Sequence, residues 1–352
     1  MEKAVILAWY RDHGRSLPWR NESDPYRIWV SEVMLQQTQV KTVIPYYWRW
    51  LERFPTIHSV ASSSQDETLK VWEGLGYYSR CRNFHRACQI VQWTYGGEVP
   101  STWKEFRPLP GVGDYTAAAV LSFAFGRVHP VLDGNVSRLM SRLLAFTDPV
   151  TRGQKVFLKR LNEWIDHDRP GEFNQAMMEL GSLVCRRNQP HCFACPVTDS
   201  CLAYRKGIAE ELPVRSLKKP RPHRTIVAGV IWDDRKFLIQ KRPEDGLLGG
   251  LWELPGGKVT RGESLEAALM REIAEETGMR VEVEKPIGSV DHAYTHFSIT
   301  LSAYHCSVLS GSGTRNESVG RWIVPSDISR FAFPRANHKL FNLLESEGWN
   351  RS

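Results

Sequence analysis

Residues 185–201 read CRRNQPHCFACPVTDSC and hold four of the chain's seven cysteines in seventeen positions. Their separations, with six, two and five residues between successive cysteines, leave two broad readings. Two disulfides would suit an oxidising compartment. However, the chain opens without an apolar, small-residue-terminated signal segment and holds no apolar run long enough to span a bilayer. A cytoplasmic location without membrane partners is therefore expected. There, thiols stay reduced and clustered cysteines more often bind metal. Zinc sites usually come as two close pairs. One C-x-x-C flanked by two lone cysteines suits a compact loop around an iron–sulfur cluster, although spacing alone leaves zinc open.

A chain of 352 residues suggests two domains, each with its own core. The formal net charge of +7 permits an acidic partner such as nucleic acid without demanding one. Before residue 208, apolar residues recur at helical spacing, broken by Pro and Gly at LPW, Pro45, Pro55, GLG and LPGVG. Residues 208–224 are basic and proline-containing and read as a linker. Beyond it, RTIVAGVIWDD, KFLIQKR and FSITLSAYHCSV alternate as strands, and one long helical pattern runs from Ser264 to Glu276. The expected fold is multidomain: an all-α domain over residues 1–207, including the loop 185–201, followed by an α+β domain over residues 225–352.

In IWVSEVMLQQTQV, a helix would place Glu32 among Ile28, Trp29 and Leu35, where desolvation raises a carboxyl pKa. In HPVLDGNVSRLMSRLL, Asp133 stands at a helix N-cap, where N–H groups and the helix dipole are expected to hold it ionised. Two carboxylates whose pKa values are pushed apart suit glycosidic chemistry, one protonating a leaving group and the other facing a developing cation. Between them, LPGVGDYTAAAV places Gly111 and Gly113 in a turn before an alanine-rich helix, whose first N–H groups can hold a DNA phosphate.

SEVMLQQTQV, GLGYYSR, LPGVGDYTA, LDGNV, FNQAMMELG and the four-cysteine loop occur together, in that order. Over residues 1–205 the chain thereby resembles the helix–hairpin–helix adenine DNA glycosylases. The resemblance implies a 4Fe–4S cluster on Cys185, Cys192, Cys195 and Cys201, Glu32 as the acid protonating adenine, and Asp133 stabilising the oxocarbenium-like intermediate. Asn135 and Tyr115 would order that site, while Gln37 and Tyr77 would wedge into a duplex whose adenine is flipped out. Related endonuclease III carries a lysine at the place of Tyr115, which enables strand cleavage; a tyrosine here implies base removal alone. The implied partner of this monomer is duplex DNA with adenine opposite 8-oxoguanine or guanine.

Residues 256–279, GGKVTRGESLEAALMREIAEETGM, match a complete Nudix box, with Glu272, Glu275 and Glu276 as candidate Mg²⁺ ligands. In the resembling family this domain recognises 8-oxoguanine through a Phe-Ser-His loop, matched here by Tyr294, Thr295 and His296. Recognition is favoured. The alternatives are a Nudix diphosphatase acting on 8-oxo-dGTP, tethered to a DNA-docking domain, or a bifunctional endonuclease III-like glycosylase and lyase.

Overall fold

The computed structural model describes residues 2–214, 220–311 and 320–349. Residues 215–219 of the expected linker lie outside the described residues. The chain divides into two compact units, residues 1–62 with 83–218 and residues 63–82 with 219–352. No helix among the described residues is long and apolar enough to cross a membrane.

The first unit is helical. Each site-bearing helix starts where its sequence dictates. Asp24 caps Pro25–Leu35 by accepting from the Tyr26 N–H at 2.9 Å, with Pro25 preset for the first turn. Asp133 caps Gly134–Leu143 through Val136 N at 2.6 Å. Between them the helices Trp103–Phe106 and Asp114–Phe125 form the hairpin expected from LPGVGDYTA. Gly111 at its turn has φ +76°, and a Cβ there would lie 2.8 Å from Asn83 Cβ, so only glycine fits.

A core of Val136, Leu139, Met140, Phe157, Phe173, Met177 and Leu180 joins the Asp133-capped helix to Pro170–Leu183. Asn174, on the latter helix, receives Val131 N–H and donates to Ser122 Oγ and His129 O, at 3.0, 3.0 and 2.8 Å. One buried carboxamide thus uses three hydrogen bonds to fix the extended stretch that delivers Asp133. Gly181 permits the same close approach, since a Cβ there would sit 2.8 Å from Asn135 O.

The second unit holds a mixed sheet, β1 (His223–Asp233), β2 (Lys236–Lys241), β3 (Trp252–Glu253), β4 (Arg280–Ala293), β5 (Ser298–Ser310) and β6 (Gly320–Ile323). The order is β3-β2-β1-β5-β4, with β6 also on β2; β1 and β5 run parallel and the other pairs antiparallel. Alternation along β1 sends Val227 and Ile231 toward the helix Leu265–Thr277, and Ala228, Val230 and Trp232 toward the helix Arg335–Ser346. The mixed α+β expectation holds. The sequence reading named three strands and missed β4, whose alternation is interrupted by Pro286 and Gly288, where the β4–β5 register shifts. It also missed β3, β6 and the helix Arg335–Ser346.

Residues 63–82 belong to this second unit, although they lie within the segment read as one helical domain. Helix Gln65–Trp72 is held by Lys70 Nζ donating to Phe331 O at 2.8 Å and by Lys241 pairing with Asp66 at 2.6 Å. Glu73 accepts from Phe333 N–H at 2.7 Å and bonds His338 Nε2 at 2.6 Å.

Candidate active site and hairpin tip

Glu32 is 2 % exposed, so it does not reach out to water. Burial pushes its pKa up to about 7, against the lowering effects of the Tyr115 hydroxyl and Arg20. Tyr115, in the first turn of Asp114–Phe125, donates its hydroxyl to Glu32 Oε2 at 2.6 Å. Asp133 accepts from Val136 N and from Asn135 Nδ2, at 2.6 and 3.0 Å. Asn135 in turn accepts from Arg138 Nη2 at 2.8 Å.

The expectation that capping lowers Asp133 is corrected here. Burial outweighs both hydrogen bonds and moves its pKa up, in the same direction as Glu32. Capping N–H groups favour the carboxylate, but at this half-buried position they return less than desolvation takes away.

Glu32, Asp133, Asn135 and Gln37 line one cavity of about 520 Å³. Gln37 holds φ +56° just after the Glu32 helix, a left-handed conformation that residues other than glycine rarely adopt. Gly113 is the N-cap of the hairpin's second helix, with no side-chain hydrogen bond capping that end.

Sequence reasoning missed the cavity's polar wall. Glu179, 1 % exposed, receives a fork from Arg15 at 2.8 Å through each nitrogen and a third bond from Arg20 at 3.0 Å. The available signal was a charged residue on the apolar face of FNQAMMELG, together with two arginines bracketing SLPW.

The four loop cysteines line a single, predominantly apolar cavity with Leu139, Leu143 and Arg142. Arg142 is 1 % exposed; it donates to Cys185 Sγ at 3.2 Å and to the carbonyls of Arg186 and Leu212 at 2.6 and 2.9 Å. Burial pushes Cys195 up to about 11 and raises Cys192 and Cys201. Three such thiols ionise only against a strong positive charge, and together with Cys185 around one cavity beside a buried guanidinium they fit an anionic metal–sulfur cluster. Among the described residues, no three His, Cys, Asp or Glu side chains form a ready site for a metal ion.

In the second unit, Tyr294, Thr295 and His296 form the tip of the β4–β5 hairpin, closed by Tyr294 N–H to Phe297 O at 2.8 Å. Tyr294 stacks on Phe297 at 4.8 Å, while Thr295 and His296 are exposed. Tyr77, at φ +49°, shares a hydrogen bond of 2.9 Å with Thr295 Oγ1. These four residues line a cavity of about 560 Å³.

The Nudix-box carboxylates are turned to separate partners. Arg271 binds Glu263, Glu272 and Glu275 at 2.8, 3.0 and 3.3 Å, whereas Glu276 accepts from Gln240 and Gly256 N–H. Glu272 and Glu275 thus share one guanidinium, and Glu272 lies close enough to help raise the pKa of Glu276, which burial raises most.

Residues 30–167 match the HhH-GPD superfamily of base excision DNA repair proteins, and residues 227–343 match a NUDIX domain. The chain is 34 % identical to the mouse adenine DNA glycosylase, over 97 % of this chain and 78 % of that protein. It is 32 % identical to the human one, over 98 % and 74 %. A thermostable thymine-DNA glycosylase structure superposes with a TM-score of 0.54 at 26 % identity, covering 58 % of this chain and 95 % of that one. A trapped endonuclease III–DNA covalent intermediate gives 0.51 at 25 % identity, with coverage of 58 % and 95 %. The chain thus belongs to the adenine DNA glycosylase family: it is a DNA N-glycosylase of base excision repair, a helix–hairpin–helix domain followed by a Nudix domain.

Proposed function

We propose that this glycosylase removes adenine paired with 8-oxoguanine or guanine and stops at the abasic site. The observation that carries the chemistry is the buried Glu32–Tyr115 pair in one cavity with Asp133. The glycosidic bond is out of reach in a stacked duplex, so the adenine must first be flipped out. Adenine then offers N7 as an acceptor. Glu32, with a pKa of about 7, holds a proton near neutral pH and can deliver it there. Protonation weakens the bond to the sugar, and Asp133 faces the resulting cation while water adds to the sugar carbon. The Glu179 carboxylate and its two arginines supply an acceptor and donors for the edge of the base.

The monofunctional reading rests on Tyr115. A phenol carries no amine for a Schiff base, and its hydroxyl is committed to Glu32. The Tyr77–Thr295 pair and the exposed His296 support reading of the opposite base by the hairpin tip. Cys185, Cys192, Cys195 and Cys201 would hold a 4Fe–4S cluster, which when bound supplies structural cohesion and charge balance beside Arg142. Arg271's hold on the Nudix carboxylates supports a recognition domain over a diphosphatase. One assay tests the proposal: duplexes with adenine opposite 8-oxoguanine, guanine or thymine, analysed with and without hot alkali. The expected outcome is alkali-dependent cleavage for the first two only; alkali-independent cleavage would establish a lyase.

A further inference from the structure

Two charged side chains bracket the turn that carries Tyr77: Glu73, half-buried, before it and Arg82, buried, after it. Between them Gly74, Gly76 and Tyr77 hold positive φ, at +92°, +78° and +49°. Two glycines so close together give a free chain many alternatives, so bonds from outside have to select this one. Some are local. Gly76 O accepts from Trp72 Nε1 and Arg80 Nη2 at 3.1 and 3.0 Å, and the Tyr78 hydroxyl accepts from Gly74 N–H at 3.0 Å. The bracketing pair reaches chain 162 to 265 positions away. Arg82 donates Nη2 to Glu244 O at 2.8 Å and Nη1 to Gly249 O. The Glu73 carboxylate accepts from Lys70 Nζ at 2.6 Å, from Phe333 N–H at 2.7 Å and from His338 Nε2 at 2.6 Å. Burial works to raise the Glu73 pKa, yet the bonds from His338, Lys70 and Phe333 outweigh it and hold the carboxyl below its usual range. All of these residues belong to the second unit, which also carries the Thr295 hydroxyl that meets Tyr77.

We propose that Glu73 is a positioning residue for base extrusion: held by Phe333 and His338, its carboxylate sets where the Tyr77 ring stands relative to the hairpin tip. The inference rests on the reading of Tyr77 as the residue that wedges into the duplex. A wedge unstacks a base step only where it enters correctly, and a misplacement of about 1 Å can cost about 10²-fold in rate. The position calls for a carboxylate. It accepts from three donors at once, whereas an amide would turn its own N–H groups toward one of them. Glu73 acts through Tyr77, and the unit that carries the hairpin tip thereby also sets the wedge.

The test uses the full chain and a duplex with uncleavable 2′-fluoro-2′-deoxyadenosine opposite 8-oxoguanine. A neighbouring 2-aminopurine gains fluorescence when the adenine leaves the stack. Single-turnover cleavage of the corresponding adenine duplex, at saturating protein, gives the rate. Tyr77→Ala is the control for the wedge reading and should remove most of the fluorescence rise. Glu73→Gln and His338→Ala should each lose about half or more of the rise and about tenfold of the rate, while duplex affinity stays within about threefold. His338→Gln returns a donor near the Nε2 position and should restore both. If Glu73→Gln does not fold, the two His338 variants decide, since that side chain is 39 % exposed. A rise that survives Tyr77→Ala would overturn the wedge reading and this proposal with it. A rise lost in Tyr77→Ala but kept in folded Glu73→Gln and His338→Ala would overturn the positioning role alone. So would a His338→Gln protein no better than His338→Ala, or a rate loss that only follows a lower active fraction or melting temperature.

Discussion

Tyr115 Oη lies 2.6 Å from Glu32 Oε2, although the two residues are 83 positions apart in the chain. The phenol donates, so it favours the carboxylate form and opposes the burial that favours the acid. Burial wins, and the site is left with a proton that is available near neutrality.

Base removal should therefore fall as pH rises above about 7, by roughly tenfold per unit where deprotonation is complete. Single-turnover rates between pH 5.5 and 9 check this. Glu32→Gln should lose about 10²–10⁴-fold of the rate at pH 6 while still binding duplex. An active variant would remove Glu32 from the mechanism.

The same group should shape stability. Its folded pKa of about 7 exceeds the ordinary 4.5, so its contribution is fully present below pH 4.5 and is lost as pH rises through 7. Relative to wild type, Glu32→Gln should gain up to about 3 kcal/mol between pH 4.5 and pH 8, which denaturant melts at both pH values would show.

Removing only the phenol hydroxyl, with Tyr115→Phe, takes away a donor that stabilises the ionised Glu32. The alkaline limb of the rate profile should move to higher pH. An unchanged or lowered limb would mean that the pair is not coupled during turnover.

Asp133→Asn should cost about 10²–10³-fold in rate, because it removes the charge facing the developing cation. The cap bonds to Val136 and Asn135 weaken as well, at about 1 kcal/mol. Assays well below the variant's melting temperature separate these effects: a rate that recovers on cooling would identify Asp133 as a cap alone.

Thr295→Ala should reduce the preference for 8-oxoguanine over guanine opposite adenine, with little change in melting temperature, because Thr295 is exposed. Deleting residues 225–352 should do more than remove a reader. It strips Glu73 of Phe333 and His338, Lys70 of Phe331, and Arg82 of the Glu244 carbonyl, so residues 63–82 lose their anchors. Lower soluble yield and a lower melting temperature are expected for the truncated chain.

What the sequence determined by itself is local. Helix starts at Asp24 and Asp133 follow from a short polar side chain reaching an N–H two or three residues ahead. The hairpin follows from Gly111, the four-cysteine loop from its spacing, and the Nudix pattern from its box. Helical periodicity put the Glu32 carboxylate on an apolar face but suited equally a side chain reaching out to water, and the resemblance was what singled it out. Only the tertiary structure decided the rest. Arg15 reaches Glu179 across 164 residues, and Glu73 meets His338 across 265. It was also the fold that raised Asp133 where its cap alone argued the reverse, and that turned Arg271 onto the Nudix carboxylates. Capping and periodicity act over one or two helical turns, whereas burial and charge pairing depend on every segment that closes around a residue.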